Sequence, residues 1–231
     1  MKKIFLVWLV IITAVFGGYL GADVVIRSCD PPSAVKVVSD NMQSLVYLEI
    51  YAGHPTDGIY LAGSASGVVI SEDGLIATAR HVTEYAVQIK VFLQDGREFI
   101  VDDLDYFEKG DLGLIKIPKV RNLKTAKLGD YDSVRVGEQV VVMGSPLGIR
   151  DTITFGIVSH TKRESSYFSE YPLLQLDAAA YPGNSGGPIF NLNGELIGIL
   201  VGGRRGAECL NLGMTVRSLK DYLDAYEESL S

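Results

Sequence analysis

A chain of 231 residues with 47% hydrophobic and 21% charged residues has room for one large domain or two small ones, and it is neither disordered nor collagen-like in composition. Its net charge of −7 argues against nucleic acid as a partner, because phosphate binding needs a basic face. Two cysteines and three histidines exclude a disulfide-dense scaffold and a four-cysteine zinc site, and no metal or organic cofactor is implied.

The charge divides along the chain. Lys2 and Lys3 precede nineteen uncharged residues, Ile4 to Ala22. A helix of that length spans roughly 28 Å, about one hydrocarbon core. Residues 1–22 therefore read as a signal anchor or a signal peptide, with mediocre cleavage sites favouring retention, and the chain beyond lies outside the cytoplasm. Without Lys2 and Lys3 the remainder carries 19 basic and 28 acidic residues, a balance of −9. Residues 23–36, with Asp30-Pro31-Pro32-Ser33, read as a stiff spacer. Cys29 and Cys209 are open to pairing, to remaining free thiols, or to lipid modification of one of them; nothing local supports the pairing.

From residue 44 onward, short strand patterns alternate with turn signals. Leu45 to Tyr51 is rich in strand formers. Glu72-Asp73-Gly74, Asp95-Gly96 and Asn193-Gly194 each sit between apolar runs and predict three hairpins, since such pairs accept the positive φ of tight turns. Further runs cover Leu112–Ile117, Gln139–Met143, Thr152–Val158 and Leu173–Leu176. About twelve short strands at this spacing indicate an all-β barrel or sandwich. A polar stretch, Lys119 to Val134, divides them into halves at about 44–118 and 134–217. One helical pattern closes the chain at 218–229, opened by a capping box at Ser218 and burying Leu219, Tyr222, Leu223 and Tyr226 on one face. A short helical turn is expected at Asp40–Ser44.

Gly183-Asn184-Ser185-Gly186-Gly187-Pro188 carries the strongest chemical signal. Glycines around Ser185 let the chain turn sharply and leave N–H groups free to face a reacting oxygen. A serine hydroxyl needs a base. Of the three histidines, His81 ends a buried-looking strand, while His54 and His160 sit in polar surroundings. Asp111 stands where a loop enters an apolar strand and suits an orienting acid; Asp102, Asp103 and Asp105 are alternatives. Gly183 to Gly187 also fits Gly-x-Ser-x-Gly, but that fold places its histidine after the serine, and none follows Ser185.

The remaining order, His81…Asp111…Ser185 on an all-β chain, resembles the HtrA (DegP/DegS-like) group of trypsin-like serine proteases. The resemblance runs through Gly67–Thr78 with His81, Asp111–Ile117, Leu128-Gly129-Asp130, Val136-Gly137-Glu138, Gly144–Gly148, Gly156–Ser159, Asp177–Ala179 and Pro182–Pro188. It covers about residues 36–217, within a protease domain at 37–231, and implies a chymotrypsin-like double six-stranded β-barrel with the triad between the barrels. It implies Ser185 as nucleophile, His81 as general base and then acid, and Asp111 as the group fixing the imidazole. The N–H groups of Gly183 and Ser185 would form the oxyanion hole. Ala179 would floor the specificity pocket, with Ile199, Leu200 and Val201 supplying a wall and a strand for peptide pairing, so small to medium aliphatic residues are expected before the cut. Asp177 lies off the floor and reads as structural.

The expected activity is that of a serine endopeptidase acting through an acyl-enzyme on exported or misfolded polypeptides, either anchored to a membrane by its N-terminal segment or secreted. HtrA relatives often assemble as trimers, which the resemblance carries over as an expectation. The sequence departs from the family in lacking a PDZ domain after Arg217, in Arg80 beside the histidine, and in Gly113 where the family pattern has alanine. The rival readings are a latent protease-fold binding or chaperone module, and a self-processing protease acting only in cis.

Overall fold

The computed structural model describes residues 33–54, 58–164, 169–203 and 209–230. The expected signal anchor or signal peptide, the expected spacer up to Pro32, and Cys29 lie outside them; among the described residues no helix is long and apolar enough to cross a membrane.

Helix α1 (Ala34–Asn41) opens the described chain, its first turn capped by Ser33, whose Oγ accepts the Lys36 N–H at 3.2 Å. The expected turn at Asp40–Ser44 is thus the end of a longer helix followed by a 3₁₀ turn at Met42–Ser44. The first sheet contains β1 (Leu45–His54), β2 (Gly58–Val69), β3 (Leu75–Thr78), β4 (Gln88–Phe92), β5 (Glu98–Val101), β6 (Leu104–Tyr106) and β7 (Gly113–Lys116). Its strand order is β5-β4-β1-β2-β3-β7-β6, antiparallel throughout. This sheet curls without a ladder joining its two edges, so the expected closed six-stranded barrel is here a curled sheet of seven strands. The additional strand is β6, three residues long, set apart from β5 by the exposed pair Asp102-Asp103.

The second sheet contains β8 (Lys127–Leu128), β9 (Gln139–Gly144), β10 (Thr152–Arg163), β11 (Leu173–Leu176), β12 (Pro188–Asn191), β13 (Glu195–Gly203) and β14 (Asn211–Thr215). Here β12 pairs with both β9 and β13, which closes six strands into a barrel; β8 adds to β13 in parallel. All three predicted hairpins form: β2–β3, β4–β5 and β12–β13. Gly96 shows the conformation such turns demand, with φ of 87°.

Helix α3 (Val216–Leu230) starts two residues before the expected Ser218. Thr215 takes the capping position because its Oγ1 accepts the Ser218 N–H at 3.2 Å, while Ser218 itself is buried inside the helix. Leu219 and Tyr222 then enter an apolar cluster that also holds Ile76, Leu114, Met143 and Phe190. That cluster draws on both sheets, and a second one, around Val142, Leu174 and Ile197, fills the closed barrel. At roughly 25 cal/mol per Å² of apolar surface removed from water, the first cluster is the main drive holding the two sheets together.

Candidate active site

His81 lies on α2 (Arg80–Thr83), a single helical turn separated from the end of β3 by Ala79 alone. Ala79 and Val82 are fully buried on either side and hold that turn rigid, while the His81 side chain stays 46% exposed. Its Nδ1 lies 2.8 Å from Asp111 Oδ2 and 3.1 Å from Oδ1, and its backbone N–H donates to Oδ1 at 3.0 Å. A carboxylate only accepts, so the proton of a neutral ring sits on Nδ1 and the Nε2 lone pair is left free.

Asp111 is carried by a loop that bonds to itself. Phe107 N–H donates to Leu112 O at 2.8 Å, and Leu112 N–H to Gly110 O at 2.9 Å. The Phe107 ring anchors the loop, stacking on Tyr222 of α3 at 4.9 Å and lying 5.7 Å from Tyr171. Arg80 turns along the wall: it pairs with Glu84 at 2.6 Å, donates to Glu108 O at 3.1 Å and covers the Tyr106 ring. Gly113 leaves room for Thr83, since a Cβ there would meet Thr83 Oγ1 at 2.6 Å. The departure from alanine is matched by its neighbour.

Ser185 sits on the glycine turn before β12. Asn184 N–H donates to Tyr181 O at 3.0 Å, Gly187 N–H to Asn184 O at 2.9 Å and Gly186 N–H to Leu200 O at 2.7 Å. The N–H groups of Gly183 and Ser185 donate to no hydrogen bond among the described residues. Gly183 has φ of 104°, where a side chain would strain the backbone and strike Ser145 O. Leu147 N–H donates to Pro182 O at 2.7 Å, which fixes the peptide bearing the Gly183 N–H. Between Ser185 and His81 themselves no hydrogen bond forms; such bonds commonly tighten only with substrate in place.

A cavity of about 950 Å³ adjoins the histidine, lined among others by His81, Asp111, Glu108, Glu170, Val201 and Gly203. Of the predicted pocket residues, Val201 lines this cavity, whereas Ile199 and Leu200 are buried in the two apolar clusters. Ala179 is exposed, its carbonyl accepting from Thr154 Oγ1 at 2.9 Å, and neither it nor Ser185 lines the cavity. Asp177 Oδ1 accepts the Ile157 N–H at 2.7 Å, a structural bond. His54 is exposed at the end of β1, and His160 Nδ1 accepts the Lys162 N–H at 3.0 Å. Asp102 and Asp103 are exposed. Asp105 is half-buried and its Oδ1 accepts the Tyr106 N–H at 2.6 Å, and none of these alternative bases and acids lines the cavity. Cys209 is exposed and forms no disulfide among the described residues; its pairing with Cys29 lies outside them.

Residues 65–199, which include His81, Asp111 and Ser185, match the family model of the trypsin-like peptidase domain. The chain belongs to the trypsin-like peptidase family. Within that family the chain is similar to proteases of HtrA/DegP type. It is 44% identical over 136 residues to the periplasmic serine endoprotease DegP of Escherichia coli, covering 58% of this chain and 29% of that protein. It is 40% identical over 168 residues to the serine protease HTR4 of Rattus norvegicus, covering 71% of this chain and 34% of that one. The chain thus spans about a third of the length of the curated relatives it matches. Among solved structures it resembles the HtrA-type protease AlgW with tripeptide, at a TM-score of 0.75 and 31% identity, covering 84% of this chain and 63% of that one. The same protease with decapeptide gives a TM-score of 0.75 at 28% identity, over 85% and 68% of the two chains.

Sequence reasoning gave no role to Ser66, nor to Ser145 and Leu147 inside the Gly144–Gly148 motif, whose backbone N–H groups reach Ser66 Oγ and Pro182 O beside the serine turn. The glycine at 144, against which Asn184 packs, is the local signal that something lies close there.

Proposed function

We propose that this chain is a serine endopeptidase of HtrA/DegP type that cleaves exported or misfolded polypeptides outside the cytoplasm. One observation carries the reading: Asp111 holds His81 by both ring and backbone, at the edge of a large cavity, within a trypsin-like fold whose serine turn keeps two N–H groups free.

In the proposed reaction, His81 Nε2 takes the Ser185 hydroxyl proton as the Oγ attacks the scissile carbonyl carbon. The developing oxyanion is received by the N–H groups of Gly183 and Ser185, where preoriented donors lower the barrier most. The protonated imidazole, stabilised by Asp111, gives its proton to the leaving amine, and an acyl-enzyme remains. Water, deprotonated by His81, then releases the acid. Ala179 offers no carboxylate to a cationic side chain, which supports a preference for small to medium aliphatic residues before the cut. The proposal further assigns residues 1–22 to export or anchoring, on their lysine-flanked apolar run, and allows a trimer, on family likeness alone.

Incubation with a reduced, unfolded protein substrate tests the activity. The wild-type chain is expected to generate new peptide termini, and His81→Ala and Ser185→Ala to abolish them. Undiminished cleavage by Ser185→Ala would remove the reading.

A further inference from the structure

Ser66, on β2 of the curled sheet, has 0% exposure and makes four hydrogen bonds that leave its own strand. Its N–H donates to Ser185 O at 2.9 Å. Its Oγ donates to Gly183 O at 2.8 Å and accepts the Ser145 N–H at 2.9 Å. Its carbonyl accepts from Thr78 Oγ1 at 2.8 Å. Thr78 ends the strand that delivers His81 three residues later, and Gly183 and Ser185 bracket the free N–H groups of the serine turn. One buried residue therefore ties the histidine strand, the serine turn and the 145–148 loop.

A seryl hydroxyl has one proton and two lone pairs. Here the proton goes to the Gly183 carbonyl and a lone pair to the Ser145 N–H, so the rotor is held in one direction by two loops of the closed barrel. Crowding leaves no slack. A Cβ at Gly144 would approach Ser66 Oγ to 3.2 Å, and one at Gly186 would strike both Ser66 O and Thr78 Oγ1. Ser145 Oγ and Asn184 Oδ1 lie buried nearby without partners, so no other side-chain bond in this layer duplicates the work of Ser66.

We infer that Ser66 is a positioning residue for the serine turn: through its hydroxyl it fixes the 183–184 peptide, and so aligns the N–H groups of Gly183 and Ser185 with the oxyanion. The inference rests on the proposed peptidase reading and deepens it. Ser66 touches no substrate; it acts through Gly183 and Ser145. Its loss should therefore affect the transition state more than substrate binding, because only the tetrahedral oxygen uses both donors.

The test compares wild type with Ser66→Ala and Ser66→Cys, normalised to folded protein by circular dichroism. The cysteine variant refills the buried volume with a poorer donor and acceptor, and keeps the test available if alanine compromises folding. The inference expects kcat on a peptide substrate to fall roughly 10- to 100-fold in Ser66→Ala, with KM within about twofold and an intermediate kcat in Ser66→Cys. Affinity for a peptidyl aldehyde, whose hemiacetal oxygen occupies the oxyanion site, should fall by the same factor as kcat. Binding of the uncleaved peptide, measured in a Ser185→Ala background, should stay within about twofold.

Wild-type-like kcat in folded Ser66→Ala and Ser66→Cys, or a loss confined to KM, would overturn the inference while leaving the peptidase intact. An inactive wild type would overturn the peptidase reading and the inference with it, so the two failures are distinguishable.

Discussion

Leu147 donates its backbone N–H to the Pro182 carbonyl at 2.7 Å, and that bond sets the direction of the next N–H, on Gly183. In a trans peptide the C=O and N–H point opposite ways, so holding the oxygen toward Leu147 turns the Gly183 hydrogen away from it. Leu147 makes this contact from the left-handed region, with φ of 54°, and its side chain is largely exposed. Such a conformation costs a non-glycine residue about 1–2 kcal/mol. Leu147→Gly should therefore raise stability by about 1 kcal/mol, or roughly 2–4 °C in Tm for a domain of this size. Peptide kcat/KM should stay within a few-fold, since the backbone bond survives. Calorimetry together with steady-state kinetics checks both expectations.

Gly113 and Thr83 fit each other. A Cβ at position 113 would meet Thr83 Oγ1 at 2.6 Å, Thr83 Cγ2 at 2.9 Å and Ala79 O at 3.0 Å. Gly113→Ala should destabilise by roughly 1–3 kcal/mol through overpacking beside His81. Adding Thr83→Ala should recover part of that loss, with a coupling of about 1 kcal/mol in a double-mutant cycle. Simple additivity of the two changes would refute the steric account.

The Tyr222 ring is held by Phe107, but its hydroxyl is buried with no hydrogen bond of ordinary geometry. Burial, and then the nearby charge of Asp105, push the phenol far above the usual tyrosine range. Removing an unsatisfied buried hydroxyl while keeping the ring should help the fold. Tyr222→Phe is expected to gain about 1 kcal/mol in urea unfolding, against a loss of about 3 kcal/mol or more for Tyr222→Ala.

Glu195 opens β13, bound to Lys127 at 2.6 Å and to Asn191 at 3.1 Å, and these partners hold its carboxyl below the usual range. A depressed folded-state value means that the group adds stability above its unfolded pKa, which is lost as pH falls through the folded value. Glu195→Gln should flatten the acid limb of the stability–pH curve below about pH 4.5 and change it little near neutrality. An unchanged acid slope would show that the pair contributes nothing.

The parts of the site legible in the sequence share one property: their signals are local. Ser185 announced itself by the glycines on both sides, and His81 by the buried strand three residues earlier. Asp111 followed from standing at a loop-to-strand junction. The hairpin at Asn193-Gly194 was likewise written in two adjacent residues. Ser66 was not legible, because its meaning lies in bonds to Gly183 and Ser145, 117 and 79 residues away. The seventh strand of the first sheet, β6, was not legible, because its three residues are too few to show a period. The capping of α3 by Thr215 rather than Ser218 was missed because two hydroxyl residues compete within one turn and only packing decides between them.

Covalent capture tests the central claim most directly. A fluorophosphonate phosphonylates only a serine whose hydroxyl is activated by a base and whose oxyanion donors are in place. Intact-mass analysis should show one adduct on the wild-type chain, mapped to Ser185, slowed strongly in His81→Ala and absent from Ser185→Ala. A folded wild-type chain that takes up no adduct, or an equal adduct on Ser185→Ala, would contradict the account.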